Sequence, residues 1–174
     1  MKHQLLWLIL FAGCLGLIGR PIHALEYQVP QRVWATALAA SITQLVALGL
    51  SLNIYQKIQN SPNDHEDANH YFIAAVIAFG FGAASSLTGT LLGCNPKKLE
   101  NARGTTVLSG LASITGLVTN IIGYALAHSQ KTIPDYKKEM ARNSLIFSFF
   151  PSIFNLFHFV AAHTALRDWQ AQQL

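Results

Sequence analysis

Polar and apolar residues fall into long blocks along this chain. Four stretches, residues 34–55, 71–93, 105–127 and 144–166, contain no Asp, Glu, Lys or Arg, and the charges collect between them. Each stretch is close to the ~20 residues that a helix needs to cross ~30 Å of hydrocarbon at about 1.5 Å per residue. The pattern predicts an all-α fold: a polytopic membrane helical bundle with four transmembrane helices. A water-soluble four-helix bundle would need a polar face on every helix. The third stretch offers only Ser, Thr, Gly and one Asn for that purpose.

Composition points the same way. Hydrophobic residues make up 51% of the chain and charged residues 11%, a lopsided balance for a water-soluble domain. The mean hydropathy of +0.31 is modest because Ala, Gly, Ser and Thr fill much of the spans. The formal net charge of +4 is spread over separate loops and forms no basic stripe with interleaved aromatics. Nucleic acid is therefore excluded as the expected partner.

Residues 1–24 read MKHQLLWLILFAGCLGLIGRPIHA: a basic start, an apolar run from Leu5 to Ile18, a Gly-Arg-Pro break, then Ile22-His23-Ala24. That order fits a signal peptide cleaved after Ala24. If the segment is retained it becomes a signal anchor and a fifth helix, ahead of a single four-helix domain over residues 25–174. Phe11-Ala12-Gly13-Cys14 also resembles a bacterial lipobox with Phe in place of the usual Leu. The signal implies the secretory route to an integral membrane location, the plasma membrane or a bacterial inner membrane. It places loops 56–70 and 128–143 in the cytoplasm and loop 94–104 outside. Loop charge does not decide orientation: Lys57, Lys131, Lys137, Lys138 and Arg142 balance Arg32, Lys97, Lys98, Arg103 and Arg167. With Cys14 removed, Cys94 is the lone thiol, so no internal disulfide is expected.

The segment ASITQLV at residues 40–46 returns as ASITGLV at 112–118. A duplicated hairpin is one reading. A packing rule explains more, because helices in lipid associate through small residues and interhelical hydrogen bonds. Small residues recur at such intervals on three spans: Ala40, Ala47 and Ser51 on the first, Ala78, Gly82, Ser86 and Thr90 on the second, and Ser109, Ala112, Gly116, Thr119 and Gly123 on the third. Smooth small-residue seams are the expectation. The fourth span is rich in Phe and carries Pro151, which predicts a kink near residues 147–151, with Ser148 or Ser152 re-satisfying the freed carbonyl. Most of its phenylalanines are expected to face lipid or wedge between helices.

Gln44 and Asn155 fall about midway along antiparallel spans, and His158 is one turn from Asn155, so the three define a candidate midplane polar cluster. Polar groups in hydrocarbon need partners, which predicts inward orientation for Gln44, Asn120, Asn155 and His158. Such groups join helices, or they form a small ligand or proton site with His158 as the titrating group. Small multidrug exporters are similar in having four spans in a short chain. They depend on a membrane-embedded Glu in the first span, which is lacking here, so the likeness ends at the helix count.

Glu66, Asp67 and His70 have helical spacing suited to a metal, without a second ligand set to complete a site. The alternative is a helix start capped by Ser61, with Pro62 at the first position. The acidic loop 56–70 and the basic loop 128–143 are expected to pair loosely, Lys137 and Lys138 with Glu66 and Asp67; the rival is contact of the basic loop with anionic lipid. No nucleophile turn, HExxH or phosphate loop appears in the sequence. The expectation is thus a non-enzymatic membrane protein with no cofactor, acting as a structural or interaction component. Its partners would be the lipid bilayer and a second copy or another membrane protein. The alternative is a small oligomeric transporter or channel-like protein using Gln44, Asn155 and His158.

Overall fold

A computed structural model describes residues 30–59 and 66–173 of the chain. The signal segment, the lipobox and the Ser61–Pro62 cap lie outside the described residues. Among the described residues there are four helices, α1 Gln31–Gln59, α2 Glu66–Leu92, α3 Leu99–Ser129 and α4 Asp135–Ala171, with one 3-10 turn, Pro96–Lys98, ahead of α3. All four are long and apolar enough to cross a membrane. The architecture is an all-helical bundle.

The short connections dictate antiparallel neighbours. In the α2–α3 turn the Gly93 amide donates to the Gly89 carbonyl at 2.8 Å, and the Asn95 side chain accepts from the Lys97 amide at 3.0 Å. At the start of α4, the Pro134 carbonyl accepts from the amides of Lys137 and Lys138. α1 packs along α2 and α4, and α3 packs along the same two, while α1 and α3 meet only on a narrow central line. The helices therefore stand in a ring, in chain order.

The interior is layered from end to end. One end is closed by Val33, Leu99, Ala162, Ala165 and Leu166, with Trp169 packed on them. The other is closed by Ile54, Ile58, Phe72, Ala127, Ile133 and Ala141, with Tyr55 and Tyr124 against them. Between lies a small apolar layer of Ala47, Ala75 and Phe79. Trp34 and Trp169 mark the first end, and Tyr55, Tyr71, Tyr124 and Tyr136 mark the second. From Trp34 to Tyr55 along α1 the rise is ~31 Å at about 1.5 Å per residue, close to the thickness of a hydrocarbon core. We refer to these as the tryptophan and tyrosine ends.

The phenylalanines divide by helix. Those of α4 turn outward: Phe147, Phe149, Phe150, Phe157 and Phe159 are all exposed, and Phe154 is half-buried. Phe72 and Phe79 of α2 are fully buried. A Cβ placed on Gly116 would meet the Phe79 ring at 2.7 Å, and one on Gly123 would meet the Phe72 ring at 3.2 Å. Two rings seven residues apart on α2 thus rest on two glycines seven residues apart on antiparallel α3. This departs from the smooth seams expected from the sequence. The glycines are sockets for large side chains, because removing a Cβ leaves room for a ring as well as for a backbone.

α4 runs as one helix through Pro151. Neither neighbouring hydroxyl takes the carbonyl that the proline frees. Ser148 Oγ donates to the Ser144 carbonyl at 2.7 Å, and Ser152 Oγ is buried with no partner among the described residues.

The described residues give the cations at the start of α4 partners of their own. Lys137, although near the start of α4, is buried and donates from Nζ to the Lys57 carbonyl at 2.5 Å. That carbonyl is in the last turn of α1, where helical carbonyls lack donors and the dipole favours a cation. Lys138 lies 3.9 Å from Asp135, and Arg142 pairs with Glu139 within α4.

Gly116→Ala is expected to destabilise the bundle by about 1–3 kcal/mol, since the Phe79 ring must move. Gly49→Ala, at a site with nothing within 4 Å of its Cβ, should be close to neutral. Reversible unfolding in mixed micelles compares the two directly, and equal effects would contradict the socket.

Candidate functional site

Gln44 is fully buried on the inner face of α1. Its Nε2 donates to Ser109 Oγ at 2.9 Å and to Ser113 Oγ at 2.7 Å on α3. Ser113 Oγ also accepts from Asn155 Nδ2 of α4 at 2.8 Å, and donates to the Ser109 carbonyl at 2.9 Å. One donor and two acceptor positions saturate a hydroxyl. Ser86 of α2 joins through Ser109 Oγ at 2.5 Å, and Ser109 Oγ lies 3.1 Å from the Gly82 carbonyl, which it can donate to. All four helices therefore meet in one neutral network of amides and hydroxyls.

The network needs Gly82. A Cβ there would stand 2.6 Å from Gln44 Nε2, so the amide lies flat on the bare backbone of α2. Any larger residue at 82 would push Gln44 off its serines.

A second network lies nearer the tyrosine end. Asn120 Nδ2 of α3 donates to Ser148 Oγ at 2.6 Å, to Ser51 Oγ at 3.0 Å and to Ser144 Oγ at 3.4 Å. It ties α1, α3 and α4. The layer of Ala47, Ala75 and Phe79 separates the two.

His158 stands apart from the Gln44–Asn155 network. It is fully buried one level toward the tryptophan end, with Nδ1 3.3 Å from Thr36 Oγ1. Thr36 Oγ1 donates to the Arg32 carbonyl at 2.6 Å and has the Val33 carbonyl at 3.1 Å. With its proton on a backbone carbonyl, Thr36 Oγ1 can accept from the imidazole in the tautomer that carries Nδ1–H. A hydroxyl bonded in this sense is no activated nucleophile. His158 Nε2 lies beside Gly89, 3.3 Å from where a Cβ would stand, and has no partner among the described residues.

The remaining predicted positions fall as follows. Ala78, Gly82, Ser86, Gly116 and Gly123 are buried, four of them with the contacts given above. Asp67 and His70 are exposed at the start of α2, and the side chain of Glu66 is outside the described residues. Among the described residues no three His, Cys, Asp or Glu side chains are gathered where they could hold a metal. Cys94 is exposed, its thiol donating to the Thr90 carbonyl at 3.3 Å.

No known protein family, curated protein or solved structure matches this chain. Chemistry has to be read from the geometry alone.

Sequence reasoning had not selected Ser113, Ser144 or Thr36 as network members. The echo held a signal for the first. In both ASIT copies the Ala and Ser are buried, and the Ser donates to the carbonyl four residues back, Ser41 to Ala37 and Ser113 to Ser109. The copies obey one helical rule, then diverge where it matters: Gln44 projects a long amide, and Gly116 makes room for a ring.

Gln44→Leu combined with Ser113→Ala tests the first network. Their double-mutant cycle is expected to give a coupling of about 0.6–1.7 kcal/mol, the range for interhelical hydrogen bonds in membranes. Strictly additive effects would mean that the bond contributes nothing.

Proposed function

We propose that this chain is a multi-pass integral membrane protein with a structural or interaction role, a non-enzymatic component of a membrane complex or oligomer. One observation carries the reading. The amides and hydroxyls of the interior, Gln44, Ser86, Ser109, Ser113 and Asn155 above all, are bonded to one another across helices, so the interior serves cohesion. The exterior supports it. Leu91, Leu111, Leu156, Phe157 and Val160 are among many large apolar side chains left exposed, an unfavourable surface in water and the expected one in lipid. The aromatic residues at the two ends fit interfacial belts.

A partner would meet this chain mostly within the bilayer, because the loops among the described residues are short. Entry by the secretory route, with the segment before Ala24 as signal, belongs to the same reading. A second reading, a small oligomeric transporter, is favoured by one feature: polar layers at Thr36–His158, Gln44–Asn155 and Ser51–Asn120 recur along one axis.

Tagged protein should stay in membranes after alkaline carbonate washing and elute from mild detergent as a complex larger than one copy. A single copy with no co-purifying membrane protein would overturn the interaction role. Solute- or proton-driven flux in proteoliposomes, abolished by His158→Ala in a folded variant, would move the assignment to the second reading.

A further inference from the structure

Ion pairs satisfy some cations at each rim of the bundle and leave others without a carboxylate. At the tyrosine end Lys137, Lys138 and Arg142 each have a partner within the chain, while the exposed Lys57 and Lys131 are in no ion pair among the described residues. At the tryptophan end Arg32 pairs with Asp168 at 4.0 Å. Arg103 of α3 and Arg167 of α4 have no carboxylate within ion-pair distance among the described residues.

Helical register brings these two arginines together. Ser113 meets Asn155, and Asn120 meets Ser148, so a step along α3 matches an opposite step along α4. Continued toward the tryptophan end, Arg103 falls level with Ala165, about 3 Å in depth from Arg167 at 1.5 Å per residue. With about 3.6 residues per turn, Arg103 lies on the flank of α3 that faces α4, and Arg167 on the flank of α4 that faces α3. His163, exposed and stacked on Phe159 with ring centroids 6.1 Å apart, follows on the same flank. Glu100, exposed one turn earlier on α3 and level with Asp168, is in no ion pair with either arginine, and Asp168 lies on the far flank of α4 toward Arg32. Deeper on the same flank Gly110 has nothing within 4 Å of its Cβ position, and register sets it level with His158, one residue from the exposed Phe159, with Leu156 beyond.

We propose that the α3/α4 groove at the tryptophan end is a binding site for an anionic phospholipid. Arg103 and Arg167 hold the headgroup phosphate, His163 adds a ring donor, and an acyl chain lies over Gly110 against Phe159 and Leu156. Guanidinium groups suit phosphate because their planar forks donate in pairs. The apolar run below them selects a lipid over a soluble phosphate, and the arginines stand about 8–10 Å outside the level of Trp34 at 1.5 Å per residue, the side on which a headgroup phosphate lies beyond an interfacial indole. The proposal rests on the bilayer placement argued above.

The test uses the full-length protein in phosphatidylcholine vesicles carrying spin-labelled phosphatidylglycerol or, separately, spin-labelled phosphatidylcholine. The protein-restricted fraction of each label gives a relative association constant. Wild-type protein is expected to favour phosphatidylglycerol by about fivefold for each arginine engaged. Arg103→Gln/Arg167→Gln should bring the ratio near one, Arg103→Lys/Arg167→Lys should restore part of it, and Lys131→Gln at the opposite rim should leave it unchanged. Gly110→Leu should lower it with both arginines present. Unchanged selectivity in the double Gln variant, or a wild-type ratio of one, overturns the site. Selectivity that survives Gly110→Leu overturns the acyl groove, and selectivity lost to inorganic phosphate at constant ionic strength assigns the arginines to a soluble anion. A protein that fails to enter vesicles overturns the bilayer reading itself; one that enters without selectivity overturns the lipid site alone.

Discussion

A polar side chain inside an apolar bundle must find its hydrogen bonds there, and this requirement governs how the four helices meet. Gln44 is the clearest instance. Its amide reaches two serines of α3 only because Gly82 of α2 leaves the space and Ser109 and Ser113 are one turn apart on the facing helix. Asn155 then completes Ser113 from α4. Rotate any one helix by a single residue and several donors are left bare in a low-dielectric interior, at about 1–3 kcal/mol each. The network specifies orientation more than it adds affinity. A solvent-free seam of Ala on Gly could slide; this one has few equivalent registers.

Shape adds a second constraint of the same kind. Phe79 on Gly116 and Phe72 on Gly123 are knobs and sockets of matching spacing on antiparallel helices. A shift along the axis would lift both rings at once. The α2–α3 hairpin is therefore fixed in depth by packing, and the α1–α3–α4 side by Asn120 and its three serines. Between α2 and α3 ring packing adds to the Ser86–Ser109 and Ser109–Gly82 bonds, whereas Asn120 joins the other side by hydrogen bonds. That division follows from composition, since α2 carries two buried phenylalanines while α4 directs its own outward.

The helical class and the four long apolar elements were legible in the sequence because missing charge over more than twenty residues is a one-dimensional signal. Burial of Ala40, Ala47, Gly116 and Gly123 follows from helical spacing in the same direct way. Which large side chain fills which glycine was not legible. Phe79 reads as one more apolar residue until the depth of α2 against α3 is known, and that depth is a property of two helices. His158 shows the same limit. One turn from Asn155, it turns toward Thr36 and Gly89, because 100° of rotation per residue carries neighbouring turns to different partners. Lys137 shows it again: its position at the start of α4 speaks for solvent or headgroups, yet the end of α1 offers a carbonyl in need of a donor.

Charge counting has a related weakness, visible at the rims. By sequence the cations balance, five at each end. In three dimensions they are not equivalent. A lysine that caps a helix, or an arginine held to a glutamate one turn away, has already turned its charge toward the protein, and little field remains for a headgroup. At the tyrosine end Lys137, Lys138 and Arg142 are held in this way, while Lys57 and Lys131 are in no ion pair among the described residues. At the tryptophan end Arg103 and Arg167 have no carboxylate within ion-pair distance among the described residues. The field that a membrane surface meets is set by unpartnered charge, so a count of cations along the chain does not describe it. The relation between the two arginines arises from the fold, because on helices of different register they would fall at different levels.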